Sequence, residues 1–229
     1  MQKAPNIARY IVQRTEILPS ISASWEDAAW APAQPLAIAS FHSRSSNHRP
    51  RTEARLLHND EALAIIFRVE DRYVLARHGS YQSPTHEDSC VEFFVQPKPG
   101  DGYFNFEFNA IGTLLLWYID RPRRPDGSFE HFVEVPFDLA RNIAVNASLS
   151  EPLQQEMSMP LVWTLPFRVP KSLLESFVGP LPDLSGQIWR ANFYKCADLS
   201  SHPHWGAWSE IGDRLDFHQP SRFGELAFD

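Results

Sequence analysis

The chain has 229 residues, a net charge of −7 and 43% hydrophobic residues, so it is long enough for one large all-β domain or two small domains. Its arginines are dispersed, which argues against a nucleic-acid partner, and no window reaches the roughly 18 apolar residues of a membrane span. The basic run RPRR at 121–124 is interpreted as a solvated loop.

The first residues, MQKAPNIARYIVQRTE, lack the apolar core and cleavage motif of a secretory signal. We therefore expect either a cytoplasmic protein or a secreted or periplasmic one whose signal is not part of this chain. Cys90 and Cys196 lie in strand-like segments. We expect them to be free and buried, with a single bridge as the alternative.

The predicted elements begin with an alternating strand at 8–16, a short helical or irregular turn at 22–30 and a strand at 36–41. A hairpin follows at 53–71, where two apolar runs flank a turn at 58–61 that contains Asn and Asp.

The segment from Asp88 to Trp117 predicts two strongly alternating strands and the start of a third. In the second of these strands, one face is aromatic and indicates core: Phe104, Phe106 and Phe108. The other face mixes a phenol, amides and a carboxylate: Tyr103, Asn105, Glu107 and Asn109. Such a polar face suits hydrogen bonding to a hydroxyl-rich ligand.

The rest of the chain alternates similarly and contains one convincing helix, at 171–177. The later predicted strands are 114–119, 132–135, 143–149, 161–167, 187–197, 204–210 and 224–229. About a dozen short strands with one small helix predict an all-β fold, a β-sandwich, over a single domain, 1–229.

Metal sites have little support in the sequence pattern. There is no HExxH motif and no Cys/His pair at zinc spacing, and we do not expect His202 and His204, which flank a proline, to bind zinc. Calcium is more plausible, because β-sandwich modules carry it on carboxylates at strand ends. The candidates are Asp60, Asp71, Asp88 and Asp101, for which turn formation is the alternative interpretation.

Two further chemistries follow from side-chain type. Glu92 and Glu107 lie on successive strands, so an acid/base pair could reach one cleft if those strands pair. The late aromatic residues Trp205, Trp208 and Phe217 lie in loops or short segments, where rings either stack on sugars or plug the core.

Five segments in order resemble the family 9 carbohydrate-binding modules, and most closely their divergent, stand-alone branch. The segments are EARLLHNDEALAIIFRVED, EDSCVEFFVQP, YFNFEFNAIGT, WRANFYKC and HQPSRFGELAF, between Trp25 and Phe228. The resemblance implies a sandwich of jelly-roll type that binds plant-type β-glycans or their fragments without catalysis. It also implies calcium away from the sugar and a glycoside hydrolase as a partner in glycan degradation.

The resemblance carries over to particular positions. Glu92 matches the glutamate of the family's D-S-V-E signature, although Cys90 adds a residue within it. Asn192 matches an amide on the late strand. Phe217 matches the aromatic residue before the final P-S-x-F-G run, and Arg214 lies three residues before it.

Two positions depart from the family. His86 lies near a position where characterised members have tryptophan, and Glu107 replaces an arginine. A His/Phe pair would stack more weakly on a sugar than two tryptophans, and Tyr81 or Trp208 would then supply the missing ring. These departures argue against transferring the characterised sugar specificity.

Two rival functions remain open. One is a glycoside hydrolase that uses Glu92 and Glu107 as acid and base. The other is a haem carrier or interaction module, since related sandwiches bind haem through Met with His or Lys, and Met157 and Met159 lie close together here.

Overall fold

The computed structural model describes residues 7–100, 102–121 and 128–229. Residues 122–124 of the basic run and Asp101, one of the predicted calcium ligands, lie outside the described residues.

Strands dominate the chain. They are β1 (Arg9–Arg14), β2 (Leu36–Ala37), β3 (Ser40–Phe41), β4 (Arg51–His58), β5 (Ala62–Asp71), β6 (Val74–Ala76), β7 (Cys90–Gln96), β8 (Tyr103–Asn109), β9 (Leu114–Ile119), β10 (Val133–Glu134), β11 (Ala144–Val145), β12 (Leu153–Met157), β13 (Leu161–Pro170), β14 (Ile188–Cys196), β15 (Trp205–Ala207) and β16 (Gly224–Phe228). The α-helices are α1 (Phe137–Ala140) and α2 (Lys171–Val178), and the 3₁₀ turns are Ala28–Trp30, Thr85–Glu87 and Pro220–Arg222.

The strands form two layers that share β1. The front sheet has the order β10-β9-β8-β7-β14-β16-β1, with β15 paired to β14 and β3. The back sheet has the order β1-β4-β5-β13-β11, with β2 paired to β4. The first four residues of β1 pair in parallel with β16 and its last two residues pair with β4, so this strand passes from one layer to the other. A separate pair, β6 and β12, forms a small third sheet.

Aromatic rings from both layers fill the space between the sheets. The ring of Phe193 on β14 lies 6.1 Å from that of Phe67 on β5, and the ring of Phe108 on β8 lies 4.7 Å from that of Phe167 on β13. All four side chains are buried, and pairs at these distances stabilise a core beyond the area that they bury. The predicted all-β sandwich of jelly-roll type is therefore confirmed.

Most predicted elements are found, with local differences. The helix predicted at 171–177 is α2; it follows Pro170 and ends before Gly179, whose φ of +70° favours glycine. The four-residue α1 is an additional helix that the sequence did not predict. The strand predicted at 36–41 is two short strands, because β2 pairs in the back sheet and β3 in the front sheet.

The alternation predicted for β8 is confirmed. Phe104, Phe106 and Phe108 join the core between the sheets, and Glu107 belongs to the opposite, outer face of the front sheet. That outer face is buried as well, because part of the chain after β15 covers it: Ile211 and Phe223 pack there with Phe94 of β7. The polar side chains of β8 are therefore buried and do not lie in open solvent.

Candidate functional site

A cleft of about 530 Å³ lies on the outer face of the front sheet, and we call it the front cleft. Its aromatic lining residues are Trp117, Phe129, Trp205 and Phe217. Its ionisable lining residues are Arg44, His86, Glu92, Glu107, Cys196, Asp198, Arg214, Asp216 and His218, and Leu115 and Leu215 complete the lining. Rings beside hydrogen-bonding groups suit an amphipathic, hydroxyl-bearing ligand.

The floor of the front cleft is set by strand register. Tyr194 of β14 lies opposite Glu92 of β7, which lies opposite Glu107 of β8, which lies opposite Leu115 of β9. Directly opposite residues in antiparallel strands project from the same face of a sheet. This register therefore brings the carboxyl groups of Glu92 and Glu107 side by side. The pairing of β7 with β8, on which the predicted acid/base pair depends, is present.

Glu92 lies in an environment that favours its neutral form. Its side chain is buried, and the Sγ of Cys196 donates a hydrogen bond to its Oε1 over 3.1 Å. Burial raises the pKa of Glu92 well above its usual range, and the neighbouring Cys196 and Glu107 act in the same direction. These effects favour the neutral form of Glu92 over the charged form.

Glu107 has a different set of neighbours. The amide of Asn105 donates to its Oε1 over 2.8 Å, and the Nδ1 of His86 lies 3.8 Å from its Oε2. The Glu107 carboxyl raises the pKa of His86, although partial burial opposes this. Glu107 has a carboxyl group where family members have an arginine. The imidazole of His86 lies beside this carboxyl group and can carry a compensating positive charge when it is protonated.

One wall of the front cleft is the loop at 211–219. The ring of Phe217 stacks on that of Tyr194 at 4.0 Å with the planes 6° apart, and the Tyr194 hydroxyl donates to the Phe217 carbonyl over 2.9 Å. The Nη2 of Arg214 lies 3.2 Å from Oδ2 of Asp216. The side-chain amide of Gln219 donates to the Asp216 carbonyl over 2.6 Å, a hydrogen bond within the loop that stabilises its conformation. These contacts hold Phe217 and Arg214 at the cleft.

Two tryptophans add to the lining. The indole Nε1 of Trp205, at the start of β15, donates to Oδ1 of Asp198 over 2.7 Å, and burial raises the pKa of Asp198. Trp117 lies opposite Asn105 in the β8–β9 register, which places it on the outer face. Neither tryptophan was among the predicted binding residues, although Trp205 was considered as a ring that could stack on a sugar. The alternation of β9 is the sequence signal that places Trp117 on the outer face.

Asn192 does not line the front cleft. Its Nδ2 donates to the carbonyl of Ser209 over 2.9 Å, and its Oδ1 accepts from the backbone N–H of the same residue over 2.9 Å. The amide thus pairs with the backbone of the segment that leads into the 211–219 loop. Asn192 therefore supports the wall of the front cleft without lining it.

Tyr81 and Trp208 also lie away from the front cleft. The hydroxyl of Tyr81 donates to the carbonyl of Val135, and its ring borders a separate groove of about 440 Å³ near Phe137. Trp208 packs edge-on to Phe193 at 5.7 Å and covers Gly224, where an added Cβ would lie 2.5 Å from the indole. Neither ring lies in the front cleft, so neither replaces the tryptophan that characterised family members have near the position of His86.

The predicted calcium ligand Asp71 faces cations of the protein. Its Oδ1 lies 2.7 Å from Nε2 of His48, and its Oδ2 lies 3.6 Å from the ammonium of Lys195. Both Asp71 and Lys195 are buried. An ammonium group at this distance fills the position that a calcium ion would need, so these residues do not fit calcium.

The other predicted calcium ligands are also engaged. Oδ2 of Asp88 accepts hydrogen bonds from two backbone N–H groups and one asparagine amide, and exposed Asp60 pairs with Arg14 at 2.8 Å. These are the contacts of turn-forming residues, the alternative interpretation given above. Among the described residues they do not assemble the six to eight oxygens that calcium requires.

The remaining metal and haem candidates are explained by other contacts. His204 uses Nε2 against Lys195 Nζ at 2.9 Å and Nδ1 against the His202 carbonyl, so neither ring nitrogen is available for zinc. Met157 packs against the core between the sheets, whereas Met159 is exposed. The two methionines do not fit a haem site.

Cys90 and Cys196 are both free and buried, as expected. No helix in the described part of the chain is long and apolar enough to cross a bilayer.

Comparison with known proteins points to one family. The model of carbohydrate-binding family 9 matches residues 25–228. No curated protein sequence matches the chain significantly.

Solved structures agree in fold. A provisionally assigned carbohydrate-binding protein from Bacteroides uniformis is similar with a TM-score of 0.82 and 26% identity, over 97% of this chain and 100% of that one. A family 9 module from Caldicellulosiruptor kristjanssonii, solved with cellotriose, has a TM-score of 0.62 and 17% identity, over 97% of this chain and 94% of that one. The same organism's module with glucose has a TM-score of 0.62 and 14% identity, over 97% and 96% of the two chains.

Proposed function

We propose that this chain, which belongs to carbohydrate-binding family 9, binds a neutral oligosaccharide or the end of a β-glycan in the front cleft. The observation that carries the proposal is the combination of a stacked aromatic wall at Phe217 with a hydrogen-bonding floor at Glu92 and Glu107. Sugar rings offer apolar C–H faces to the first and hydroxyl groups to the second.

The charges of the front cleft support a neutral ligand. Glu107 lies beside His86, Asp216 lies beside Arg214, and burial raises the pKa of Glu92, which favours its neutral form. Paired groups of this kind present donors and acceptors together without a large excess of one sign. Arg44 and Asp198, which also line the front cleft, add one further basic and one further acidic group.

We extend the proposal to plant-type β-glycans or their fragments, to a non-catalytic role in glycan degradation, and to a glycoside hydrolase as partner. The support is family membership together with the cellotriose and glucose complexes of the related module. We also propose that 1–229 acts as one domain, because β1 and β16, from the two ends of the chain, pair in the same sheet.

The test is a glycan array followed by calorimetry with the purified chain. The proposal predicts that at least one glucan, xylan, mannan or derived disaccharide binds at millimolar concentration or tighter. If no member of this panel binds, carbohydrate recognition by this cleft is rejected.

Glycoside hydrolysis is a second candidate, favoured by one observation. Glu92, whose pKa is raised by burial, lies directly opposite Glu107 on the same face, and an acid with a raised pKa beside a second carboxyl group is the pair that glycosidases use. Hydrolysis predicts turnover of aryl glycosides that disappears in both Glu92→Gln and Glu107→Gln. If a glycan binds and is not cleaved, the binding function alone stands.

A further inference from the structure

Three side chains of types that can ligate a metal meet beneath the front cleft, which two of them line: Cys90, Glu92 and Cys196. One ligand atom from each lies within 4.8 Å of the other two, and all three side chains are buried. It is the one such group among the described residues whose His, Cys, Asp or Glu atoms come this close in a set of three or more.

The backbone brings these residues together through register. Cys196 of β14 lies directly opposite Cys90 of β7, and Glu92 lies two residues beyond Cys90 on the same face. The two thiols are thus a cross-strand pair, and the carboxyl group is their diagonal neighbour. Because the ligands come from two strands far apart in sequence, no linear zinc motif would reveal them.

The donor set selects a particular class of cation. Two thiolates and one carboxylate suit zinc or another thiophilic ion, whereas calcium takes oxygen ligands only. Three protein ligands leave one position of a tetrahedral ion open, as in sites that accept water or substrate. Glu92 and Cys196 both line the front cleft, so that open position would face the cleft.

We propose that Cys90, Glu92 and Cys196 form a binding site for a thiophilic divalent cation, with Zn²⁺ as the physiological candidate. Binding replaces the protons of the two thiols and the carboxyl group, so up to three protons are released to solvent for each ion bound. The ion itself is neither oxidised nor reduced. Coordination requires the side chains to rotate until each ligand atom lies about 2.0–2.3 Å from the ion.

The test uses Cd²⁺ as probe, titrated into the reduced, chelator-treated chain and followed by thiolate-to-metal absorption in the ultraviolet. Cys90 and Cys196 are the only two cysteines of the sequence, so such a band can arise from no other pair. The expected result is saturation at one ion per chain, release of protons in weakly buffered solution, and competition by Zn²⁺. Absence of the band, or stoichiometry without proton release, overturns the proposal.

Variants separate the three ligands. Cys90→Ser and Cys196→Ser should each weaken Cd²⁺ binding, and Glu92→Gln should keep the absorption band while it lowers affinity by about tenfold or more. His131→Ala is the matched control, because His131 is an exposed possible ligand paired with Asp120. Equal affinity in Glu92→Gln rejects the three-ligand site.

Two measurements keep the proposal testable if a cysteine variant misfolds. Bound Zn²⁺ should raise the melting temperature of the wild-type chain with concentration, and it should protect both thiols from alkylation as counted by mass spectrometry. If Zn²⁺ neither raises the melting temperature nor slows alkylation of the thiols, the site does not exist. If a purified chain carries an oxidised Cys90–Cys196 pair and its reduction gives no metal binding, the two thiols do not form the site and the proposal fails.

Discussion

Glu92 lies directly opposite Glu107 across the β7–β8 ladder, yet the two carboxyl groups have different neighbours. The Glu92 carboxyl accepts a thiol hydrogen bond and has a raised pKa, whereas Glu107 accepts an amide hydrogen bond beside an imidazole. Two like charges at this separation would repel, so a proton on one carboxyl group removes the conflict. This arrangement makes the floor of the front cleft a mixed donor and acceptor surface.

Phe217→Ala should weaken binding of any oligosaccharide that the chain recognises. Loss of a ring that stacks on the sugar removes about 1–3 kcal/mol of binding free energy, measured by calorimetry. Phe137→Ala is the control, because Phe137 is an exposed ring beside the separate groove of Tyr81. Equal losses in the two variants, or no loss in Phe217→Ala, would remove Phe217 from the site.

Glu107→Gln should lower the pKa of His86, because the Glu107 carboxyl is the largest cause of its elevation. A raised imidazole pKa stabilises the folded chain below the ordinary value of about 6.5, and this contribution is lost as pH rises through the raised value. The measurement is an NMR titration of the His86 ring in wild type and variant. An unchanged His86 pKa would show that the two side chains do not interact.

Asp71→Asn should destabilise the chain strongly. The substitution leaves the buried ammonium of Lys195 without its carboxylate, and removal of one partner from a buried ion pair costs about 3–5 kcal/mol of the free energy of unfolding. Asp60→Asn is the matched control, since its exposed pair with Arg14 contributes less than about 1 kcal/mol. Similar urea midpoints for the two variants would contradict this role of Asp71.

His204 should make the chain sensitive to acid. Burial, assisted by the ammonium of Lys195, lowers the pKa of His204 to about 3. Between that value and its ordinary value of about 6.5, the unfolded chain binds a proton that the folded chain excludes, so stability falls as pH falls, by at most about 1.4 kcal/mol per pH unit. His204→Gln should flatten the dependence of unfolding free energy on pH in this window; an unchanged slope would assign it to other groups.

Local alternation predicted the layers of this sandwich well. The two faces of β8 follow from side-chain period alone, and Pro170 and Gly179 bound α2 as their backbone preferences require. The division of 36–41 between two sheets depends on which strands it meets later, which periodicity cannot show. The polar stretch of β12 was not predicted as a strand, because its pairing with β6 is a tertiary contact.

The site was predictable only in part, for a similar reason. Family resemblance identified His86, Glu92, Glu107, Arg214 and Phe217, which the fold brings to one cleft. It could not reveal that Asn192 is engaged by the backbone of Ser209, because that contact depends on the path of a loop. The cluster of Cys90, Glu92 and Cys196 was also hidden, because it depends on cross-strand register and not on spacing along the chain.

The most direct test of the central claim is a ¹H–¹⁵N NMR titration of the labelled chain with the oligosaccharide that the glycan array identifies. The account predicts that the largest shift changes fall on residues that line the front cleft, among them His86, Glu107, Trp205 and Phe217. Shift changes centred on the groove of Tyr81 and Phe137, or none at saturating ligand, would contradict it.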